Sequence, residues 1–442
     1  MVVSLIPSCY NLGTSKPAGR RVRAPPEEET IPIMMRPSRV ILRVIASPPV
    51  LLPVAFAFLL TLACGKGEET TLSAPPAASS EPPAAASQVS PEDEALQRMM
   101  KEFEIERYED VVAGAKDFEG KFPASPKLPQ VLYISGRASI GKGDFAQGVS
   151  TLQRMLAKYP EDENAPFAGF YVAQGIYLQG YQPFSLYKIE FQEALPHYEK
   201  AMEAFRAVEK KYAGDPEVST RASLMAAQVL YDMRKPEEAL AAFRAYLDKE
   251  PHGQYADQAM FQVGAILAET ERNDEAKQAY LKLAKEFPGT LSAGTAQERL
   301  AELNLIGQRM PPMEIAGWVN RELDVSSLKG KVVVITFWNI SCLHCQHEMP
   351  KIEALYRNLA PRGLVMIGIT HHSNGQNNQL VSNFIHEKGL TFPIGVDSNG
   401  VTTASYAVSR IPATAIIDRR GFVRWRNSGA LLTQALIESY LK

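Results

Sequence analysis

Apolar residues recur at three- and four-residue spacing from about 97 to 303, and the recurrence itself repeats. YEDVVAGAKDFEGKFPAS from Tyr108, FAQGVSTLQRMLAKYPED from Phe145, PEEALAAFRAYLDKEPHG from Pro236 and NDEAKQAYLKLAKEFPGT from Asn273 align without gaps. Val111, Gly148, Ala239 and Ala276 share one position, and Pro123, Pro160, Pro251 and Pro288 each fall twelve residues later. A degenerate copy, YEKAMEAFRAVEKKYAGD from Tyr198, puts Ala201 at the shared position and Ala213 in place of the proline. The steps are 37, 53, 38 and 37 residues, the long one carrying an insertion around YLQGYQPFSLYKIEFQEAL. Within a copy, Ala239, Leu240, Phe243, Tyr246 and Leu247 line one helical face. The proline ends that helix, and a second one follows, as in ADQAMFQVGAILAE. Such a helix pair buries its stripe only by stacking on its neighbours, so the pattern predicts an all-α solenoid over 95–305.

From about 306 the period changes. KVVVITFWN (331–339) reads as a buried strand. CLHCQHEMPKIEALYRNLA reads as a helix, with Met349, Ile352, Leu355, Tyr356 and Leu359 at core spacing. LVMIGIT (364–370) is a second strand, and NQLVSNFIHEKG a second helix closed at Gly389. FPIGVD and VTTASYAV follow. RIPATAIIDRRGFVRWRNSG then gives two strands around a turn at Gly421, and LLTQALIESYLK a last helix. Strands alternating with helices, then a hairpin, predict an α/β sheet covered on both faces over 306–442.

The 442-residue chain is 45% hydrophobic and 22% charged, an ordinary globular composition. Its net charge of −2 gives no electrostatic case for nucleic acid. Upstream of the repeats, Arg36, Arg39 and Arg43 precede an apolar run from Val50 to Ala63, the anatomy of a secretory signal over 35–63. Residues 1–34 do not fit that signal and read as a mis-set start, the true one being Met34 or Met35. LTLAC, ending at Cys64, resembles a bacterial lipobox, which implies a lipid anchor on Cys64; Thr61 stands where that family favours Leu. A plain cleavage site or an uncleaved anchor would equally place the remainder outside the cytoplasm, where disulfides persist. Residues 64–94, rich in Pro, Ala, Ser and Glu, read as a disordered tether.

The chain has four cysteines, Cys9, Cys64, Cys342 and Cys345, too few for a disulfide scaffold. The last two lie in FWNISCLHCQHEMP, where a strand gives way to a helix. Free N–H groups and the helix dipole there favour a thiolate at Cys342. Cys345, one turn on, is placed to attack a mixed disulfide formed by Cys342. The repeats resemble tetratricopeptide repeats of the longer-period kind, which implies a surface that binds protein or peptide. The rival reading is a rigid spacer whose grooves its own insertion fills.

Residues 310–442 resemble the TlpA/ResA-like branch of the thioredoxin superfamily, on LKGKVVVITFW, the C-x-x-C followed by EMP, and IPATAIID before GFV. The resemblance implies an exposed nucleophile at Cys342, a buried resolving thiol at Cys345 and a disulfide between them. It also implies a cis-proline at Pro412, presenting the backbone of Ile411 to an extended substrate. Glu348 is implied as an acid near the site, able to relay a proton for Cys345. Ser341 stands where the family usually has Trp, and Thr336 where many thioredoxins have a buried Asp. His344, if cationic, would stabilise the Cys342 thiolate and make the pair more oxidising.

Other readings of the pair weigh less. Haem attachment needs a His at 346, where Gln stands. A zinc site would have to draw on Cys342, Cys345, His344 or His347, with His371 and His372, and no second C-x-x-C exists. A peroxiredoxin-type peroxidase would need a Thr before Cys342 at a suitable distance. The expected chain is therefore multidomain: an all-α tetratricopeptide-like solenoid, then an α/β thioredoxin-like fold. Its expected activity is thiol–disulfide oxidoreduction on protein substrates, as a reductase served by a membrane electron donor and held on the periplasmic side of the envelope. No cofactor, metal or nucleic acid is implied. The alternative is a repeat-based scaffold lipoprotein with a non-catalytic thioredoxin-like module.

Overall fold

The structure, a computed structural model, describes residues 90–371 and 377–442. The expected mis-set start, the signal segment, Cys64 and His372 lie outside the described residues. The first helix begins before residue 95, because Ser90 caps it: the Ser90 hydroxyl accepts the Asp93 N–H at 3.2 Å, and Pro91 and the acidic Glu92–Glu94 suit a helix N-terminus.

The described residues form two compact units, 90–168 and 169–442. The first contains α1 (Pro91–Glu104), α2 (Tyr108–Lys121), α3 (Leu128–Gly141) and α4 (Phe145–Lys158). The chain passes to the second within α5 (Ala165–Ser185). There follow α6 (Phe191–Lys211), α7 (Pro216–Asp232), α8 (Pro236–Lys249), α9 (Ala256–Glu269), α10 (Asn273–Glu286) and α11 (Leu291–Asn304). Four of the five predicted first helices start where the alignment starts them. Each is capped at the residue before its proline, at Phe122, Tyr159, Glu250 and Phe287, whose backbones have left the α region. The degenerate copy differs. Its helix begins at Phe191 rather than Tyr198, since the Glu193 carboxylate accepts the Glu190 N–H at 3.0 Å and starts the helix inside the insertion.

Close helix approach explains the small residues. A Cβ on Gly148 would lie 2.8 Å from the Gly136 carbonyl oxygen and 2.6 Å from Ile140 Cγ1. The second helices carry a polar ladder that the apolar pattern did not announce. Tyr177 donates to Asp232 Oδ2 at 2.7 Å, Gln228 donates to the same oxygen at 3.0 Å, and Gln262 donates to Gln228 at 2.9 Å. Burial pushes the Asp232 carboxyl up to about 7.

Beyond the repeats stand β1 (Gly317–Trp318), β2 (Val332–Trp338), α12 (Leu343–Leu359), β3 (Leu364–Thr370), α13 (Asn378–Lys388), β4 (Ile394–Val396), α14 (Val401–Ser405), β5 (Ala413–Ile417), β6 (Val423–Asn427) and α15 (Gln434–Leu441). The sheet order is β1-β4-β3-β2-β5-β6. β2 is central, parallel to β3 and antiparallel to β5. All seven of its residues are buried. Val332, Val334 and Trp338 enter one apolar cluster with Met349, Ile352 and Leu359 of α12; Val333, Ile335 and Phe337 enter another on the opposite face. That alternation is the two-residue period of a strand covered on both sides. Gly389 and Gly421 take left-handed φ values of +62° and +81°, as the helix stop and the hairpin turn require. Among the described residues, no helix is long and apolar enough to cross a membrane.

Candidate active site

β2 ends at Trp338, and the next four residues swing the chain over the sheet edge into α12. Asn339 organises that turn. Its Oδ1 accepts the N–H of Ser341 at 2.8 Å and the Ser341 hydroxyl at 2.6 Å. Its Nδ2 donates to the His371 carbonyl at 3.0 Å, tying the turn to the end of β3. The sequence reading passed over Asn339, although an Asn directly before a turn is a recognised signal. Ser341 thus serves to shape the turn, and its own residue is exposed.

Cys342 is the N-cap of α12, and its Sγ accepts the Cys345 N–H at 3.2 Å. The two cysteines are joined as a disulfide, with Cα atoms 5.2 Å apart. Cys345 is 0% exposed. Cys342 is 7% exposed, which corrects the expectation of an exposed nucleophile: the sulfur is packed beside Ile411, whose carbonyl oxygen lies 3.9 Å away. The Ile411–Pro412 peptide is cis, and both residues are half-buried. Leu343, 48% exposed, adds an apolar lip next to Cys342.

His344 does not meet the condition, a cationic ring, under which it would stabilise the Cys342 thiolate. Burial, reinforced by His347, pushes its imidazole down to about 4, so it is neutral at physiological pH. Its Nδ1 lies 2.6 Å from the hydroxyl of Tyr187, a residue of the repeat insertion that sequence reasoning did not single out. His371 is held apart from these rings, its Nδ1 2.7 Å from the Asp397 carbonyl oxygen.

Glu348 is buried, and so is not a solvated surface carboxylate. Its Oε1 accepts from the Ser428 hydroxyl at 3.3 Å, and its Oε2 has no hydrogen-bond partner. Gly429 leaves room for it: a Cβ there would stand 2.8 Å from Oε2 and 3.1 Å from Thr414 Oγ1. Thr414 donates in turn to Thr336 at 3.1 Å. The helix therefore supplies a buried acid above the strand position that carries Thr336. Burial pushes the Glu348 carboxyl up to about 7, outweighing the opposing Ser428 hydrogen bond and Lys351 charge. Such a group accepts and releases protons near neutrality.

A raised carboxyl pKa means that the folded chain holds the proton more tightly than the unfolded one. Stability from this group is full below about 4.5, falls as pH rises, and levels off above about 7. Glu348→Gln should remove that slope. It should also slow resolution of a mixed disulfide by about 10²-fold at neutral pH and flatten the rise in rate through pH 7. Stopped-flow release of a thiol from a preformed mixed disulfide, followed across pH, checks this. A variant that keeps the wild-type profile would remove Glu348 from the proton path.

The comparisons with known proteins follow the same division of the chain. The AhpC/TSA family model matches residues 306–426, and tetratricopeptide-repeat models match 224–290 and 130–162. Thiol-disulfide oxidoreductase ResA of Bacillus thuringiensis (strain Al Hakam) is 29% identical over 137 residues, covering 31% of this chain and 77% of that protein. Thioredoxin-like protein YneN of Bacillus subtilis is 30% identical over 118 residues, covering 27% of this chain and 68% of that protein. Protein DipZ of Mycobacterium bovis is 32% identical over 148 residues, covering 31% of this chain but 21% of that protein. A buried cysteine pair at a helix start, next to a cis-proline on a central sheet, thus meets sequence similarity over the same residues. Through the domain that follows its tetratricopeptide repeats, the chain belongs to the thioredoxin-like thiol–disulfide oxidoreductases.

Proposed function

We propose that the chain is a disulfide reductase of the bacterial envelope, held on the periplasmic side by a lipid on Cys64. Its electrons come from a membrane dithiol donor, and its substrates are protein disulfides that the repeats help to recruit. The observation that carries the direction is the neutral His344. A strongly oxidising pair stabilises its reduced form through a low-pKa thiolate. Here His344, the one titratable residue of the two between the cysteines, carries no positive charge to do so. Similarity to a protein named thiol-disulfide oxidoreductase ResA and the N-terminal signal pattern support the setting.

The cycle balances as two exchanges. The Cys342 thiolate attacks one sulfur of a substrate disulfide, forming a mixed disulfide and releasing the other sulfur as a thiolate that takes up a proton. Cys345, giving its proton to Glu348, attacks the Cys342 sulfur, and the second substrate sulfur leaves as a thiol. The substrate gains two electrons and two protons, and the Cys342–Cys345 disulfide is left. A donor dithiol reduces it by the same exchange and is itself oxidised. Ile411, with its carbonyl facing Cys342, offers backbone to an extended substrate segment.

Equilibrating the full chain with dithiol redox buffers should give a reduction potential near or below about −250 mV, towards that of thioredoxin. A value near about −120 mV, that of a strong oxidant, would reverse the assigned direction.

A further inference from the structure

The insertion in the repeats ends at the redox site. After α5 stops at Ser185 the chain turns at Tyr187, whose φ of +55° is a left-handed backbone that a bulky residue adopts only where its surroundings hold it. The Tyr187 ring lies flat on His347, with centroids 3.7 Å apart and planes 12° apart. It meets His344 edge-on at 5.5 Å, and its hydroxyl stands 2.6 Å from His344 Nδ1. Both histidines belong to the start of α12, the segment that carries the cysteines.

We propose that Tyr187 is a positioning residue of the redox site: by clamping His344 and His347 over the turn that carries Cys342 and Cys345, it sets the redox balance of the pair. The repeats then form part of the oxidoreductase centre as well as a recruiting surface. The inference rests on the reductase reading above.

With the ring proton on Nε2, His344 Nδ1 accepts the phenol hydrogen, and protonation of that nitrogen would reverse the bond, Nδ1 then donating to the phenol oxygen. The titratable groups around His344 are Tyr187 from the repeats and His347 and the cysteine pair from α12. Burial, with Glu348 nearby, pushes the Tyr187 phenol up, so it remains a donor. Removing the clamp opens His344 to water, where imidazole titrates near 6.5. The half-reaction takes the disulfide, two electrons and one proton to a Cys342 thiolate and a Cys345 thiol. A cationic His344 beside that thiolate favours the reduced side and raises the potential.

The test measures reduction potentials of the full chain as wild type, Tyr187→Phe, Tyr187→Ala, His344→Asn and the Tyr187→Ala/His344→Asn double variant, at about pH 6 and about pH 8. At the lower pH Tyr187→Ala should shift the equilibrium about tenfold towards the reduced form, about 30 mV upward. Tyr187→Phe, which keeps the stack on His347, should shift it less and in the same direction. The shift should shrink at the higher pH and vanish in the His344→Asn background. A merely structural role would leave a shift that ignores both His344 and pH, and that result would overturn the proposal. So would an unchanged equilibrium in both Tyr187 variants. A wild-type potential as high as that of a strong disulfide donor would sink the reductase reading alone, since the differences between variants are read against the wild type whatever its value.

Discussion

Cys342→Ser is expected to lower disulfide-exchange turnover by the full chain by about 10³-fold or more, the scale set by loss of a nucleophile. Serine has neither the accessible anion nor the capacity to form a disulfide, so no step of the cycle can start. Cys345→Ser should behave differently. Attack by Cys342 still occurs, but the buried partner that would resolve the intermediate is gone, and a mixed disulfide with the substrate should accumulate. The asymmetry follows from position. Cys342 caps α12, with the Cys345 N–H aimed at its sulfur at 3.2 Å, while Cys345 is fully enclosed. Turnover with a fluorogenic protein disulfide, together with intact-mass detection of the adduct, reads both variants. Retained turnover in Cys342→Ser would remove the pair from the chemistry. Adduct formation by Cys342→Ser instead of Cys345→Ser would reverse the two roles.

What the sequence made legible was local. Pro123, Pro160, Pro251 and Pro288 end their helices because the residue before a proline is barred from the α region, whatever lies around it. The six apolar residues among the seven of β2 name a strand buried on both faces for an equally local reason. Pro412 and the cysteines could be placed because their motif carries its own neighbours. Residues that act across the chain left no such trace. Tyr187 and His344 are 157 positions apart, and nothing in YLQGYQPFSLYKIEF distinguishes the tyrosine that reaches α12 from those that do not. The sequence neighbours of His344 left its charge open: burial, with a distant segment against the ring, decides it. The exposure of Cys342 was misjudged for the same reason, since Ile411 arrives from another strand end.

The same limit hid the joint between the repeats and the sheet, and breaking that joint should cost a large part of a domain's stability. On α11, Arg299 pairs with Glu302, both about 95% or more removed from solvent. Glu302 Oε1 also accepts from the Ser409 hydroxyl at 3.3 Å, three residues before Pro412. Arg426 of β6 is buried as well, and its charge and that of Arg410 act on Glu302. Burial pushes the Glu302 carboxyl up, and Arg299, Arg426 and Arg410 more than reverse it, holding it below the ordinary range. Glu302→Ala leaves buried guanidinium groups without their counter-charge, a loss of roughly 3–5 kcal/mol. Chemical denaturation of the full chain should show it. Acid should act in the same sense: the depressed pKa contributes stability above about 4.5, lost as pH falls through the folded value. Replacing both partners, as Arg299→Met/Glu302→Leu, should recover part of the loss, because Arg299 is then no longer stranded, while Arg426 and Arg410 still lack the Glu302 charge. If Glu302→Ala cost less than about 1 kcal/mol, the pair would be a solvated surface contact, and α11 would not be packed against the hairpin that follows Pro412. A full loss with recovery in the double variant would instead show that the last repeat and the redox domain fold against each other. Tyr187 needs that condition if it is to stay on His344 and His347.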